Sequence, residues 1–471
     1  MELSDIGVVG LGTMGAMLTL NIADNGFRVS GYNRTASRLE SFMEEAGELS
    51  DEITPCKTLE DFVASLKTPR NIILMVPAGP VVDKQIEALR PLLDDADMII
   101  DAGNANFHDT NRRAKAASEA GQAFLGLGVS GGAEGARFGP SMMGGGEKQH
   151  WDRVAHILTA ISAKYEDQPC ATWMGTGGAG HFVKTVHNGI EYADMQLIAE
   201  AYGIMRDGMD MSAQDCGKVF SDWNSGTLQS YLIEISGKVA DATDEETGKP
   251  VLDIILDRAG QKGTGRWTVI ESQMLGAPVP VIEAAVGARN MSAMRDLRLA
   301  GAKAYDTGNE PLGTRLTIGD LEQALIAGKI LCYAQGFDLL SRASTEYDWS
   351  LPMPEIAEVW RAGCIIRSSM LNDMASALRD APDTNLALAP FFKTLIRANI
   401  DGLRKTALAA QTAGLPVPAL AAALAYFDTL TRARTTANML QAQRDYFGAH
   451  SFERLDKNGA HHGPWLGQHL E

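Results

Sequence analysis

The chain has 471 residues, 45% hydrophobic and 21% charged, an ordinary globular composition long enough for two or three domains. A formal net charge of −17 argues against a nucleic-acid binder, which needs a basic face, but leaves room for anionic small molecules held by local arginines and lysines. Five cysteines, at 56, 170, 216, 332 and 364, show no CxxC and no metal-ligand spacing, so a reduced protein without a metal site is expected.

A strand expected from residue 5 leaves no room for a leader peptide, and no uninterrupted apolar run reaches the length of a membrane span. The expected location is therefore the cytoplasm. Short apolar runs then recur: IGVVG at 6–10, FRVSGY at 27–32, NIILMV at 71–76, DMIIDAG at 97–103 and AFLGLGV at 123–129. Helical segments such as 13–25 and 80–93 lie between them. This rhythm predicts an α/β fold whose N-terminal part, residues 1–178, is a doubly wound Rossmann-type domain. After MGTGGAGH (174–181) a helical period takes over, and 179–435 is expected to be a large all-α domain. Its breaks fall at 241–250, 277–281 and 346–355. The C-terminal tail, 436–471, is aromatic, histidine-bearing and polar, with too little apolar content for a core of its own. It is expected to be disordered or docked onto something else.

The first run ends in GVVGLGTMG, which sets Gly10, Gly12 and Gly15 around Leu11, Thr13 and Met14. Between a strand and a helix, that spacing makes a pyrophosphate loop: a tight turn, a close backbone approach and a helix N-terminus facing the anion. The next strand ends at Asn33-Arg34-Thr35, where an NAD site usually carries an acid for the ribose 2′-hydroxyl. A guanidinium and two short polar groups suit a 2′-phosphate instead, so the expected cofactor is NADP.

Two loops beyond the later strands carry Asn104 and Ser130-Gly131-Gly132, where an open parallel sheet binds ligands. Plain turn chemistry is the competing reading of the glycines. GHFVKTVHNGIEY (180–192), read as a helix, stacks Lys184, His187, Asn188 and Glu191 on one face. Lys184 and Glu191 stand two turns apart, about 10 Å along the axis. That span suits a base and an acid at opposite ends of a small substrate, with His187 and Asn188 between them for hydroxyls. A solvated face of mixed charge has the same pattern, and this helix alone leaves both readings open. Gly189, which costs about 1 kcal/mol relative to alanine in mid-helix, predicts that another backbone or a ligand comes close. Lys262-Gly263-Thr264-Gly265 offers a cation, a hydroxyl and two glycines to an anion, without P-loop spacing. Arg289, Arg444 and His450 are further candidate cations.

GHFVKTVHNGIEY, ILDRAGQKGTGRW, VSGGAEGA and QRDYFGAH together resemble the motifs of one family at its spacings. Over essentially its whole length the chain is similar to the decarboxylating 6-phosphogluconate dehydrogenases, of the β-hydroxyacid dehydrogenase superfamily. The resemblance implies oxidation of 6-phospho-D-gluconate at C3 with NADP, loss of CO2 from C1 and release of ribulose 5-phosphate, in the oxidative branch of the pentose phosphate pathway. It implies Lys184 as general base and Glu191 as general acid, with Asn188 beside them. Asn104, Ser130, Gly131, Gly132, His187 and Asn188 would hold the sugar acid; Tyr192, Lys262 and Arg289 would face its phosphate. Arg444 and His450 match tail residues that the family inserts into the partner subunit's site, which implies a homodimer. On the cofactor side it adds Val76, Pro77, Ala78 and Asn104 to Gly10, Leu11, Gly12, Thr13, Met14, Gly15, Asn33, Arg34 and Thr35.

Departures from the family pattern are Gly12 for a common alanine, Val76-Pro77-Ala78 where a lysine is common, and Ala133 and Gly144 for a frequent glutamate and proline. The competing functions are a related β-hydroxyacid dehydrogenase, such as one acting on hydroxyisobutyrate, and a non-catalytic NADP-binding regulator.

Overall fold

The computed structural model describes residues 2–305, 308, 311–312 and 315–465. The apolar runs fold into strands β1 (Ile6–Val9), β2 (Val29–Tyr32), β3 (Ile53–Cys56), β4 (Asn71–Leu74), β5 (Met98–Asp101), β6 (Ala123–Val129) and β7 (Met142–Gly146). With the edge strand Ala171–Gly175 they make one sheet, in the order edge-β7-β6-β5-β4-β1-β2-β3. β1 to β6 run parallel, β7 pairs antiparallel with β6, and the edge strand runs parallel to β7. β1 is buried along its whole length, as a strand covered by helices on both faces must be. The chain order reverses between β1 and β4, which opens a crevice at their carboxyl ends, the place where such sheets bind dinucleotides.

Every expected strand is present, and most stop a few residues short of the apolar runs. The surplus residues, such as Met75, Val76 and Ala102, belong to the loops that line the crevice. Three strands of this sheet lie outside the runs. β3 contains Pro55, which an edge strand tolerates because one side of its backbone needs no partner. β7 reads MMGGG, whose glycines look like a loop in sequence. They are needed because the next helix lies directly on the strand: a Cβ on Gly145 would come within 2.5 Å of the Gly180 nitrogen.

That helix, Ala179–Gly203, is 25 residues long and buried over most of its surface. A 29-residue helix, Ile318–Glu346, packs beside it, opened by a capping box of Thr317 and Asp320. The 23-residue helix Pro390–Thr412 lies along the second. Lys329 and Asp194, both sealed from solvent, join the first two at 2.8 Å. Removing one partner of such a pair strands a buried charge, at a cost of about 3–5 kcal/mol. Among the described residues no helix is long and apolar enough to cross a membrane. All five cysteines are free and buried.

The chain divides into two compact units, Met1–Ala423 and Leu424–Glu471. The boundary expected at 178 lies inside the first, because Ala179–Gly203 packs directly on β6 and β7. The second unit carries the helix Ala437–Gly448 and a short hairpin, Phe452–Glu453 with Ala460–His461. Its order rests on a carboxylate rather than an apolar core. Asp445, fully buried, accepts hydrogen bonds from the Ser451 and Gly463 amides, both at 2.9 Å, His462 Nδ1 at 2.6 Å and Trp465 Nε1 at 2.9 Å. Burial alone would raise its pKa, but these donors outweigh it and hold the carboxyl at about 2. Residues 466–471 of the expected tail lie outside the described residues.

Candidate active site

β1 delivers the chain to Gly10, whose φ of 98° makes the turn into the helix Thr13–Asp24. A Cβ on Gly15 would meet the Gly10 carbonyl oxygen at 1.9 Å, so turn and helix can touch only without it. Gly12 is different: a Cβ there meets nothing within 4 Å, so an alanine would fit equally well. The open space lies over a helix N-terminus with no acidic residue in its first turn. Residues and shape fit a dinucleotide pyrophosphate.

Asn33 fastens this loop to the end of β2. Its Oδ1 accepts from the Leu11 amide at 3.0 Å, and its Nδ2 donates to the Thr35 carbonyl at 3.1 Å. Arg34 and Thr35 are exposed beside it. Arg38, which the motif reading missed, donates from Nε to the Leu11 carbonyl at 2.7 Å and pairs with Glu45 at 2.8 Å. It lies in the first turn of the helix Ala36–Ala46, in no motif that would have flagged it. Pro77 and Ala78, exposed, and Val76, half-buried, follow β4 across the crevice; Asn104, exposed, follows β5.

The helix Ala179–Gly203 carries the second cluster. Lys184 is 6% exposed, and Nζ lies 2.9 Å from Ser130 Oγ, 2.8 Å from Asn188 Oδ1 and 3.2 Å from His187 Nδ1. As an ammonium it donates all three protons, which requires His187 to carry its own proton on Nε2, facing Ser130 Oγ at 3.3 Å. His187 Nδ1 is also 3.8 Å from Glu191 Oε2. Lysine, histidine and glutamate thus meet on one helix face, and that face is interior. Gly128 on β6 makes the room: a Cβ there would sit 2.6 Å from Lys184 Cβ.

Enclosure perturbs all three titrations. Burial lowers the pKa of Lys184 below the ordinary lysine value, opposed by Glu191 and Cys364. Burial raises Glu191 above the carboxylate range, opposed by the Lys184 and Arg289 charges. Burial and the Lys184 charge hold His187 well below neutrality. Lys184 is thereby shifted toward a neutral amine and Glu191 toward a protonated acid, the forms a base and an acid need at their starting points.

Ser130 is buried at the end of β6, and Gly131 (φ 106°) and Gly132 (φ 64°) turn the chain after it. The loop and His187 are braced from behind by residues that have no motif. A Cβ on Gly131 would strike the Gly363 carbonyl oxygen at 2.6 Å, and the Trp360 ring meets the His187 ring edge-on at 5.7 Å between centroids. Behind Gly189 comes Thr268, 2.6 Å from where a Cβ would be. The close approach is a neighbouring helix, Thr264–Met274, whose Thr268 hydroxyl donates to the Thr185 carbonyl at 2.7 Å. Tyr192 is buried, and the Arg289 guanidinium lies 3.7 Å from its ring centroid. Lys262 is exposed just before the helix N-cap Gly263. Arg444 and His450 are exposed and belong to the second unit. Gly144 stands where a side chain would overlap the Trp151 ring, so the glycine and the tryptophan make a matched pair. Ala133 is exposed.

Two family models match the chain: "NAD binding domain of 6-phosphogluconate dehydrogenase" over residues 5–175 and "6-phosphogluconate dehydrogenase, C-terminal domain" over 180–465. An NADP(+)-dependent, decarboxylating 6-phosphogluconate dehydrogenase of Bacillus subtilis is 46% identical over 475 residues, covering 99% of this chain and all of the relative. The decarboxylating 6-phosphogluconate dehydrogenase of Escherichia coli K12 is 46% identical over 470 residues, covering 99% of this chain and 100% of its own length. Among solved structures, the Plasmodium falciparum 6-phosphogluconate dehydrogenase, described in apo form and in complex with NADP+ and with 6-phosphogluconate, superposes with a TM-score of 0.94. It has 42% identity and covers 98% of this chain and 100% of its own.

Proposed function

The chain belongs to the 6-phosphogluconate dehydrogenase family, and on that premise we propose that it oxidises and decarboxylates 6-phospho-D-gluconate to ribulose 5-phosphate and CO2 with NADP. The observation that carries this reading is His187 Nδ1 standing 3.2 Å from Lys184 Nζ and 3.8 Å from Glu191 Oε2. Base and acid share one enclosed face, next to loops that fit a dinucleotide.

Gly10, Leu11, Gly12, Thr13, Met14 and Gly15 would hold the pyrophosphate, with Asn33, Arg34 and Thr35 at the 2′-phosphate. Val76, Pro77, Ala78 and Asn104 would border the nicotinamide. Bound there, NADP supplies a hydride acceptor for C3. Lys184, neutral at the start, takes the C3 hydroxyl proton; now an ammonium, it faces the C3 oxygen. The carboxylate, beta to the new carbonyl, leaves as CO2 while charge gathers on that oxygen, and the ammonium stabilises it. Glu191 then delivers a proton to substrate C2, which becomes C1 of ribulose 5-phosphate. Ser130, Gly131, Gly132, His187 and Asn188 hold the sugar acid, and Tyr192, Lys262 and Arg289 its phosphate end.

The protein acts in the cytoplasm, where its free cysteines stay reduced. It works as a homodimer whose Arg444 and His450 complete the partner's site. Exposed apolar side chains support association: Ile255, Leu256, Met274 and Leu297 in the first unit, and Met439, Leu440, Phe447 and Leu455 in the second. The test is NADPH absorbance together with CO2 release, using 6-phosphogluconate with NADP, then with NAD, and unphosphorylated gluconate with NADP. Equimolar NADPH and CO2 from the phosphorylated substrate supports the reading. NADPH without CO2, or equal turnover of gluconate, overturns it.

A further inference from the structure

Arg113 lies in the helix Phe107–Glu119, outside every motif above, and is 3% exposed. Its Nε and one terminal nitrogen grip both Asp83 oxygens, at 2.8 and 3.1 Å. The same terminal nitrogen donates to the Gly79 carbonyl at 2.9 Å, and the other reaches Asp101 Oδ2 at 3.3 Å. Gly79 directly follows Val76-Pro77-Ala78 and caps the helix Pro80–Leu89, which carries Asp83. Asp101 ends β5, and its other oxygen accepts from the Gly103 amide at 3.2 Å, shaping the turn into Asn104. The two loops also meet directly: a Cβ on Gly103 would be 3.0 Å from the Val76 carbonyl oxygen.

We propose that Arg113 is a positioning residue that clamps together the loops Val76–Gly79 and Ala102–Asn104 and so shapes the nicotinamide end of the cofactor crevice. The proposal rests on the reading of the chain as NADP-dependent. A buried ion pair is no better for stability than a well-packed apolar pair of equal volume. What the fork adds is fixed geometry between three groups, Gly79 on the loop after β4, Asp83 on the helix that follows it and Asp101 at the end of β5, which a lysine's single nitrogen cannot reproduce. The glycine loop has its own fastening in Asn33 and Arg38. The adenosine half of the cofactor should therefore not depend on the clamp.

The test is calorimetric binding of NADP and of adenosine 2′,5′-bisphosphate, which lacks the nicotinamide, to the full-length wild type, Arg113→Lys and Asp101→Asn. For Arg113→Lys the NADP Kd should rise at least tenfold while the bisphosphate Kd stays within twofold. Asp101→Asn should show the same selectivity at threefold or more, and it decides the matter alone if Arg113→Lys does not fold. Wild-type NADP affinity in the folded variants, or parallel weakening of both ligands, overturns the clamp. A wild type that binds neither ligand overturns the NADP reading itself, and the clamp with it.

Discussion

Replacing Lys184 with methionine separates chemistry from architecture. Methionine keeps the length and apolar stem of lysine and deletes the amine, so packing against β6 survives. The amine has three partners, Ser130 Oγ, Asn188 Oδ1 and His187 Nδ1. An unsatisfied buried polar group costs about 1–3 kcal/mol. In the variant His187 can carry its proton on Nδ1 instead, donating to Asn188 Oδ1 at 3.1 Å and accepting from Ser130 Oγ on Nε2 at 3.3 Å. The variant is also relieved of a buried amine. A net loss of about 1–2 kcal/mol follows, a Tm change of only a few degrees. Catalysis loses far more: a positioned base contributes about 10²–10⁴-fold, and the cation facing the C3 oxygen is lost as well, so kcat should fall at least about 10³-fold. NADP affinity should stay within threefold, because the glycine loop is untouched. The assay is steady-state NADPH formation, with calorimetric binding and thermal unfolding as controls. A kcat within tenfold of wild type would refute Lys184 as the base; a Tm fall above 10 °C would refute the packing argument.

Other outcomes follow from the same geometry. Arg34→Asp should move the kcat/KM preference from NADP toward NAD, and an unchanged ratio would mean that the 2′-phosphate is held elsewhere. Gly128→Val drives a side chain into Lys184 Cβ, so kcat should fall at least tenfold with about 1–3 kcal/mol of overpacking measured in urea. Glu200 accepts from the Ala419 and Leu420 amides and Gln196, yet burial outweighs these bonds and raises its pKa from 4.5 to about 7. A raised carboxyl favours folding fully below pH 4.5, and that contribution is lost as pH climbs through 7. Glu200→Gln should therefore flatten the stability profile between pH 4.5 and 8 by about 3 kcal/mol. Asp445→Ala should release Ser451, His462, Gly463 and Trp465, seen as faster amide exchange over residues 437–465.

The sheet was legible wherever burial was two-sided. β1, β4 and β5 are short, β-branched and apolar because helices cover both faces. β3 and β7 were hidden for opposite reasons: one lies at an edge and tolerates proline and polar residues, the other is crowded and needs glycine. Glycine serves here as the smallest packing residue, and hydrophobic periodicity cannot register a side chain that is absent. The tail eluded the same logic, since Asp445 organises it through charge where the count of apolar residues gives no hint of order.

At the candidate site, the legible residues are those that chemistry requires by type: a lysine, a glutamate and a histidine at helical spacing, and glycines at a strand end. Spacing alone could not decide whether their helix face met water or the interior. That was settled by Gly128 on β6, fifty-six residues before Lys184 and in a separate element. The hidden residues act through others: Trp360 packs on the His187 ring, Gly363 braces the Ser130 turn, Thr268 sits behind Gly189, and Arg113 ties the loop after β4 to the end of β5. Each depends on chain segments far apart in sequence, so no local motif can reveal it. The candidate reacting groups were thus readable from the chain, whereas what desolvates and aligns them is a property of the packed fold. By this reasoning, substitutions at Gly128 or Trp360 should lower kcat without removing a single reacting group.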